Sequence, residues 1–139
     1  MNLIFNKAQG FPVPQSFYAA LNREMNKATI PMKSITAITF NFLDPDYSAE
    51  SGGYHPVEVR IEKQNGIWSL VYITDFSFQG MSFPELVKEI DICFITKQVF
   101  SLFAGGSIRQ HANGLIKMFI GNFIEYYKQG VFDVHVTFE

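Results

Sequence analysis

The residues best suited to chemistry lie in one short segment, DPDYSAESGGYHPVE at positions 44–58. Four oxygen-bearing side chains alternate along its first half: Asp44, Asp46, Ser48 and Glu50. Oxygen ligands at alternate positions open a calcium-binding loop. The match then fails, because Ala49 stands where the loop needs a glycine and His55 stands where it needs a bidentate glutamate. The segment therefore does not predict a calcium site.

The same segment has the composition of a stiff loop. Pro45 and Pro56 fix the backbone φ angle, and Asp44 can form an Asx turn ahead of Pro45. Gly52 and Gly53 permit left-handed backbone geometry. We expect a mainly structural loop, and we expect Gly53→Val to damage folding.

Aromatic side chains give this loop a second interpretation, recognition of a partner. Tyr47, Tyr54 and His55 combine rings with polar tips, which suits protein interfaces. Together with Asp46 they form the first set of predicted partner-binding residues. We expect Tyr54→Ala to spare folding and to weaken partner binding.

Elsewhere the sequence has no recognisable pairing of a nucleophile with a base. Cys93 is the lone cysteine, and a nucleophilic thiol needs a base beside it. His55, His111 and His135 fall in a loop, a predicted helix and a predicted strand, at no known catalytic spacing. No paired His/Cys spacing indicates zinc. We predict no catalytic residue, no metal site and no cofactor, with Cys93 as an inert, partly buried thiol.

The run Gly105-Gly106-Ser107 precedes a predicted helix and has two interpretations. It could bind an anion at the helix start. The alternative is a plain strand-to-helix turn with Ser107 as the N-cap. The second is favoured, because neither a GxGxxG fingerprint nor a P-loop lysine is present.

The composition predicts one domain covering residues 1–139. Hydrophobic residues make up 47% of the chain, enough for a core without metal or disulfides. The net charge of -2 and the lack of a Lys/Arg cluster argue against a nucleic-acid partner. No apolar run reaches about 18 residues, so no membrane span is expected. One cysteine and an N-terminus without signal-peptide features predict a cytoplasmic protein.

Hydrophobic periodicity predicts the elements that must position these residues. Helices are expected over 14–27 and 108–128, the second ending near Gly130. Strands are expected over 33–43, 57–63, 67–78, from Pro84 to about 103, and 132–138. This order predicts an α+β fold: a single meandering antiparallel sheet, with an N-terminal helix and a long C-terminal helix packed on it and a final strand after the long helix.

Two further features of the sheet follow from its turn chemistry and its alternation. The Asn65-Gly66 dipeptide favours a type I′ hairpin turn. That turn pairs Ile61 with Leu70 and Val59 with Tyr72. In the strand after Pro84, alternation places Leu86, Ile90 and Ile92 on an apolar face and Glu89 on the opposite face.

The long helix carries an anomaly, two glycines seven residues apart. Gly114 and Gly121 share a face with Met118 between them, nearly opposite the apolar stripe. Each interior glycine costs about 1 kcal/mol relative to alanine. They are either tolerated defects or places where another backbone, from this chain or a neighbouring subunit, approaches closely. These three residues complete the predicted partner-binding set.

The run FNFLDPDYSAESGGYHPVEVR, residues 40–60, resembles the distinguishing segment of an uncharacterised family of small bacterial proteins. That family is seen mainly in gammaproteobacteria, often on mobile genomic islands. The resemblance implies a fold similar to that of the acidic mitochondrial matrix proteins that form doughnut-shaped trimers. It implies no catalytic residues. This chain lacks the strong acidity of the mitochondrial proteins, which argues against binding many basic partners.

The resulting functional hypothesis is a non-enzymatic protein–protein interaction module that forms a homo-oligomer. The alternative is a small-molecule binding protein, or an enzyme, with an apolar pocket between the sheet and the long helix. A cavity with convergent polar groups would favour the alternative.

Overall fold

The computed structural model describes residues 2–104 and 112–139, and the backbone of 106–108 between them. The elements are α1 (Gln15–Lys27), β1 (Ala37–Leu43), β2 (Val57–Gln64), β3 (Ile67–Gln79), β4 (Glu85–Cys93), β5 (Gln98–Ser101), β6 (Gly106–Ile108), α2 (Ala112–Lys128) and β7 (Asp133–Phe138). The strands form one antiparallel sheet in the order β6-β5-β4-β3-β2-β1-β7. The predicted α+β fold is confirmed.

Both helices bury their apolar faces in the same core. In α1, Phe17, Leu21 and Met25 recur at helical spacing and are fully buried, as the period predicts. In α2 the buried face includes Ile120 and Phe123. Neither described helix is long and apolar enough to cross a lipid bilayer.

Aromatic side chains form the centre of that core. The Phe42 ring of β1 meets the Phe123 ring of α2 edge-on, with centroids 4.9 Å apart. Phe17 of α1 lies 5.8 Å from the same Phe123 ring. Such pairs contribute about 0.5–1.5 kcal/mol each beyond the area that they bury. Phe123 therefore ties both helices to the sheet.

The Asn65-Gly66 hairpin is confirmed, but half of its predicted register is wrong. Both turn residues have positive φ, 53° and 80°, as a type I′ turn requires. Ile61 pairs with Leu70 as predicted. The register then shifts, so that Arg60 instead of Val59 faces Tyr72. One extra residue in β3 reverses its alternation, which puts Tyr72 on the helix-free face of the sheet.

A second bulge lies between β3 and β4 and corrects another prediction. Asp75 pairs with Ile90 and Phe76 pairs with Lys88, which leaves Glu89 as the extra residue. Beyond it the alternation is reversed. Leu86, predicted on the apolar face, is instead 46% exposed.

The strand predicted from Pro84 to about 103 is two strands, β4 and β5. They are joined by a turn in which Lys97 has a φ of 58°. The turn carries no glycine or proline, so composition gave no sign of it.

The long helix, predicted over 108–128, is described as α2 from Ala112 to Lys128, and its predicted first residue, Ile108, belongs to β6 instead. Residues 109–111 lie outside the described residues. Ser107 is therefore a strand residue and not the N-cap. Gly105 and His111 lie outside the described residues, as does the predicted anion site that includes Gly105. The closing strand is confirmed as β7, which pairs with β1.

Candidate functional site

The 44–58 loop is organised around the carboxylate of Asp44. Its Oδ1 accepts a hydrogen bond from the backbone N–H of Asp46, and its Oδ2 accepts one from that of Tyr54, both at 2.9 Å. Both oxygens are thus engaged by the backbone, which supports the structural interpretation over the calcium one. Gly53 fits beside this carboxylate with a φ of 128°.

Tyr47 attaches the loop to β3 and does not point outward. Its hydroxyl oxygen accepts a hydrogen bond of 2.9 Å from the backbone N–H of Phe78. Its ring also stacks on the Phe78 ring at a centroid distance of 5.3 Å. The centroid of the His55 ring lies 5.4 Å from that of the Tyr47 ring. Tyr47, predicted to bind a partner, therefore attaches the loop to β3 and packs beside the His55 ring.

His55 meets two carboxylates that are distant in sequence. Its Nδ1 lies 3.0 Å from Oδ2 of Asp75 and 3.8 Å from Oε2 of Glu89. Asp75 is only 5% exposed, and its other oxygen accepts a 2.7 Å hydrogen bond from the backbone N–H of Ile90. We call these three side chains the His55 cluster.

The electrostatics of the His55 cluster favour positive charge. The hydrogen bond with Asp75 is the largest effect on the imidazole and raises the pKa of His55 above its ordinary value. Burial opposes the rise, while the charges of Glu89 and Asp75 reinforce it. The cluster therefore attracts a proton or another cation.

A cavity of about 300 Å³ adjoins the cluster, between the loop, the sheet and α2. Aromatic rings make up much of its wall: Tyr54, Phe119, Phe123, Tyr126 and Phe132. Polar groups enter it from His55, Asp75 and Asn122. The Tyr54 ring packs on the Tyr126 ring at 4.6 Å, which joins the loop to the helix. The position agrees with the pocket that the alternative hypothesis requires.

Sequence reasoning found Tyr54 and His55 but missed Asp75 and Glu89. Asp75 had a usable signal, because a single acid interrupts the largely apolar run of β3 and a buried carboxylate needs partners. Glu89 had none, since the bulge that re-aims its side chain follows from the pairing of β3 with β4. Metal-ligand spacing along the chain could not reveal a cluster assembled from three separate elements.

The other predicted partner-binding residues are not part of this site. Asp46 is exposed in the loop and contributes its backbone N–H. Gly114, Met118 and Gly121 lie on the exposed face of α2. A Cβ at either glycine would have no described atom within 4 Å. The prediction that another described part of this chain's backbone approaches the two glycines closely is therefore wrong. Tolerated defects and a neighbouring subunit remain as alternatives.

Cys93 and His135 also lie apart from the His55 cluster. Cys93 pairs with Tyr72 at the end of β4 and is half-buried. Burial raises the pKa of its thiol, but hydrogen bonds with Thr96 and the backbone outweigh this, and the pKa is lowered. His135 is exposed in β7.

Comparison with known proteins gives a family and solved structures that include two from Vibrio cholerae. The family described as "Protein of unknown function (DUF2787)" matches residues 15–137. A hypothetical protein from the VSP-II pathogenicity island of Vibrio cholerae is 29% identical, with a TM-score of 0.88 over 99% of both chains. A conserved hypothetical protein from pathogenicity island VPI-2 of Vibrio cholerae is also 29% identical, with a TM-score of 0.82 over 96% of this chain and 100% of that one. The second is described as sharing structural homology with the human P32 protein. No curated protein matches this chain.

Proposed function

This chain belongs to the DUF2787 family of proteins of unknown function, as the resemblance of residues 40–60 indicated, and from that premise we propose that it is a non-enzymatic protein-interaction module that assembles with further copies of itself. Fold similarity supports the proposal, since the VPI-2 relative is described as structurally homologous to human P32. The mitochondrial matrix proteins to which the sequence resemblance points form doughnut-shaped trimers, so the resemblance implies trimers for proteins of this fold.

The observation that carries the proposal is an exposed apolar end of the β3–β4 hairpin. Met81 is 101% exposed, Phe83 is 88% exposed and Leu86 is 46% exposed. The bulge at Glu89 is what turns Leu86 outward. We call these three side chains the hairpin patch. Clustered apolar side chains on a surface indicate an interaction site more strongly than scattered ones do.

A second copy of the chain is the partner that this patch fits. Burying one such side chain contributes about 1.5–3 kcal/mol, so one patch contributes at most about 5–9 kcal/mol. Association costs about 4–15 kcal/mol in lost freedom of motion. A two-fold contact brings the same patch from both copies together, which doubles the apolar contribution to about 10–18 kcal/mol, similar to or larger than that cost.

Light scattering coupled to size-exclusion chromatography tests the proposal. We expect the wild-type chain to elute as an oligomer at micromolar concentration, and the double variant Met81→Gln, Phe83→Gln to elute as a smaller species. Met32→Gln is the matched control, because Met32 is 105% exposed but lies in the connection between α1 and β1. A monomeric wild-type chain, or equal effects of the double variant and of Met32→Gln, would contradict the proposal.

The cavity beside the His55 cluster supports a second candidate function, binding of a small, largely apolar molecule. Its volume of about 300 Å³ is at the lower end of ligand-pocket volumes. Native mass spectrometry of the purified chain should then detect a bound small molecule that is lost when Phe119→Trp fills the cavity. A mass that matches the bare chain, together with no stabilisation by an apolar ligand library, would count against it.

A further inference from the structure

We propose that the His55 cluster binds a divalent transition-metal ion through His55 Nδ1, Asp75 Oδ2 and Glu89 Oε2. The site is independent of self-assembly, since the hairpin patch shares none of these residues. Imidazole nitrogen and carboxylate oxygen are the ligands that zinc accepts in sites with three protein ligands.

The distances suit a metal ion. Zinc lies about 2.0–2.2 Å from nitrogen and oxygen ligands, so two ligands of a tetrahedral site are about 3.4 Å apart. The observed separations of His55 Nδ1 from the Asp75 and Glu89 oxygens are 3.0 and 3.8 Å. One ligand atom from each of the three side chains lies within 4.8 Å of the other two. The longer separation belongs to Glu89, whose side chain is more exposed than that of Asp75 and so has more freedom to adjust around an ion.

The charges also suit a metal ion. With a neutral imidazole the cluster carries two negative charges, which one divalent ion neutralises. A protonated His55 neutralises only one of them. Among the described residues, the ion pairs made by Asp75 and Glu89 are those with His55. Buried carboxylates are normally paired or bound to metal, and here the pairing is incomplete.

Surrounding contacts already hold the ligands in place. The backbone N–H of Ile90 binds the non-ligating oxygen of Asp75, as outer contacts of metal-bound carboxylates do. The Tyr47 ring supports the imidazole. On the other strand, the bulge directs Glu89 toward the cluster, and bulges often re-aim side chains in this way at functional sites.

The site is accessible and leaves a coordination position open. The His55 side chain is 36% exposed, so an ion can enter from solvent. Both His55 and Asp75 line the adjoining cavity, so the fourth position of the ion would face it. Three protein ligands with one open position is the arrangement that accepts water or a small ligand.

Zinc titration of the tag-free, chelator-treated full chain tests the site, using competition with a chromophoric zinc indicator. We expect one ion per chain, and at least about tenfold weaker binding in Glu89→Gln, since even the loss of an outer contact weakens metal sites about 10–100-fold. The matched control is Glu85→Gln on the same strand, where the side chain is exposed. The Glu85→Gln variant should bind zinc as tightly as the wild-type chain does. Mg²⁺ should compete poorly, because it prefers all-oxygen sites.

Three further variants, of His55, His135 and Asp75, extend the test. His55→Ala should abolish the one-ion stoichiometry, and His135→Ala, in exposed β7, should not. If Asp75→Asn fails to fold, Glu89→Gln still decides the outcome. Absence of a saturable site, or equal zinc affinity in wild type, Glu89→Gln and Glu85→Gln, would overturn the proposal. When oligomer size is measured on the chelator-treated chain, failure of the metal site and failure of self-assembly are distinguishable.

Discussion

Replacing Gly53 with alanine probes how the loop presents Tyr54 and His55. The backbone there has a φ of 128°, where side chains are strained by about 1–3 kcal/mol. The new Cβ would lie 2.8 Å from Oδ2 of Asp44 and 3.1 Å from Cα of Tyr47. Asp44 must then move and weaken its hydrogen bond from Tyr54, and bonds to charged groups contribute about 1.5–3 kcal/mol. The two effects predict a loss of about 3–5 kcal/mol in the free energy of unfolding.

Gly52→Ala is the matched control for this prediction. Gly52 has a φ of 71°, but a Cβ there meets no described atom within 4 Å. The left-handed backbone alone costs about 1–2 kcal/mol. For a chain of 139 residues, about 0.3 kcal/mol corresponds to one degree of melting temperature. Thermal unfolding should therefore show a decrease of about 10–17 °C for Gly53→Ala and about 3–7 °C for Gly52→Ala.

Equal decreases in melting temperature for the two variants would refute this reasoning, since only Gly53 is crowded. A double-mutant cycle sharpens the test. In an Asp44→Ala background the clash with the carboxylate is gone, so Gly53→Ala should cost less than it does in the wild-type chain.

Three further predictions concern side chains at or near the site. Tyr54→Ala should lower the melting temperature by no more than about 4 °C, because its ring adds about 1 kcal/mol of contact, yet it should weaken binding of an apolar fluorescent probe to the cavity; unchanged probe binding would contradict it. The pKa of His55 is raised on folding. Its pairing with Asp75 therefore stabilises the folded protein fully below about pH 6.5, and this stabilisation is lost as the pH rises through the pKa that His55 has in the folded protein. The melting-temperature difference between wild type and His55→Gln, with chelator present, should therefore shrink from about pH 6 to about pH 9, and a constant difference would count against the pairing. Tyr127→Phe should cost about 1.5–3 kcal/mol in urea unfolding, because the hydroxyl donates to the buried carboxylate of Glu24; an unchanged midpoint would contradict it.

Local patterns in the sequence predicted most of the fold. The helix at Gln15–Lys27, the Asn65-Gly66 turn and the closing strand at Asp133–Phe138 each carry their own signal of periodicity or turn chemistry. The errors about which face of the sheet a side chain occupies occur where one residue was inserted without such a signal. A bulge needs neither glycine nor proline, so Tyr72 and Leu86 were assigned to the wrong faces of the sheet.

The candidate site was predictable only in part, for the same physical reason. His55 stands out by residue type within its loop. Its partners Asp75 and Glu89 are brought to it by strand pairing and by a bulge, which are long-range properties. Spacing rules detect sites within one segment, whereas this one is assembled across three.

The last strand of the sheet has a consequence for how the chain acquires its structure. Ile38 pairs with Phe138, a hundred residues further along. A nascent chain that has completed β1 to β4 still exposes the hydrogen-bonding edge of β1 until β7 has been synthesised. Contacts of such long range slow folding, and an unpaired edge invites association with other chains. The interval between synthesis of β1 and arrival of β7 is thus the stage at which this protein most needs protection from aggregation.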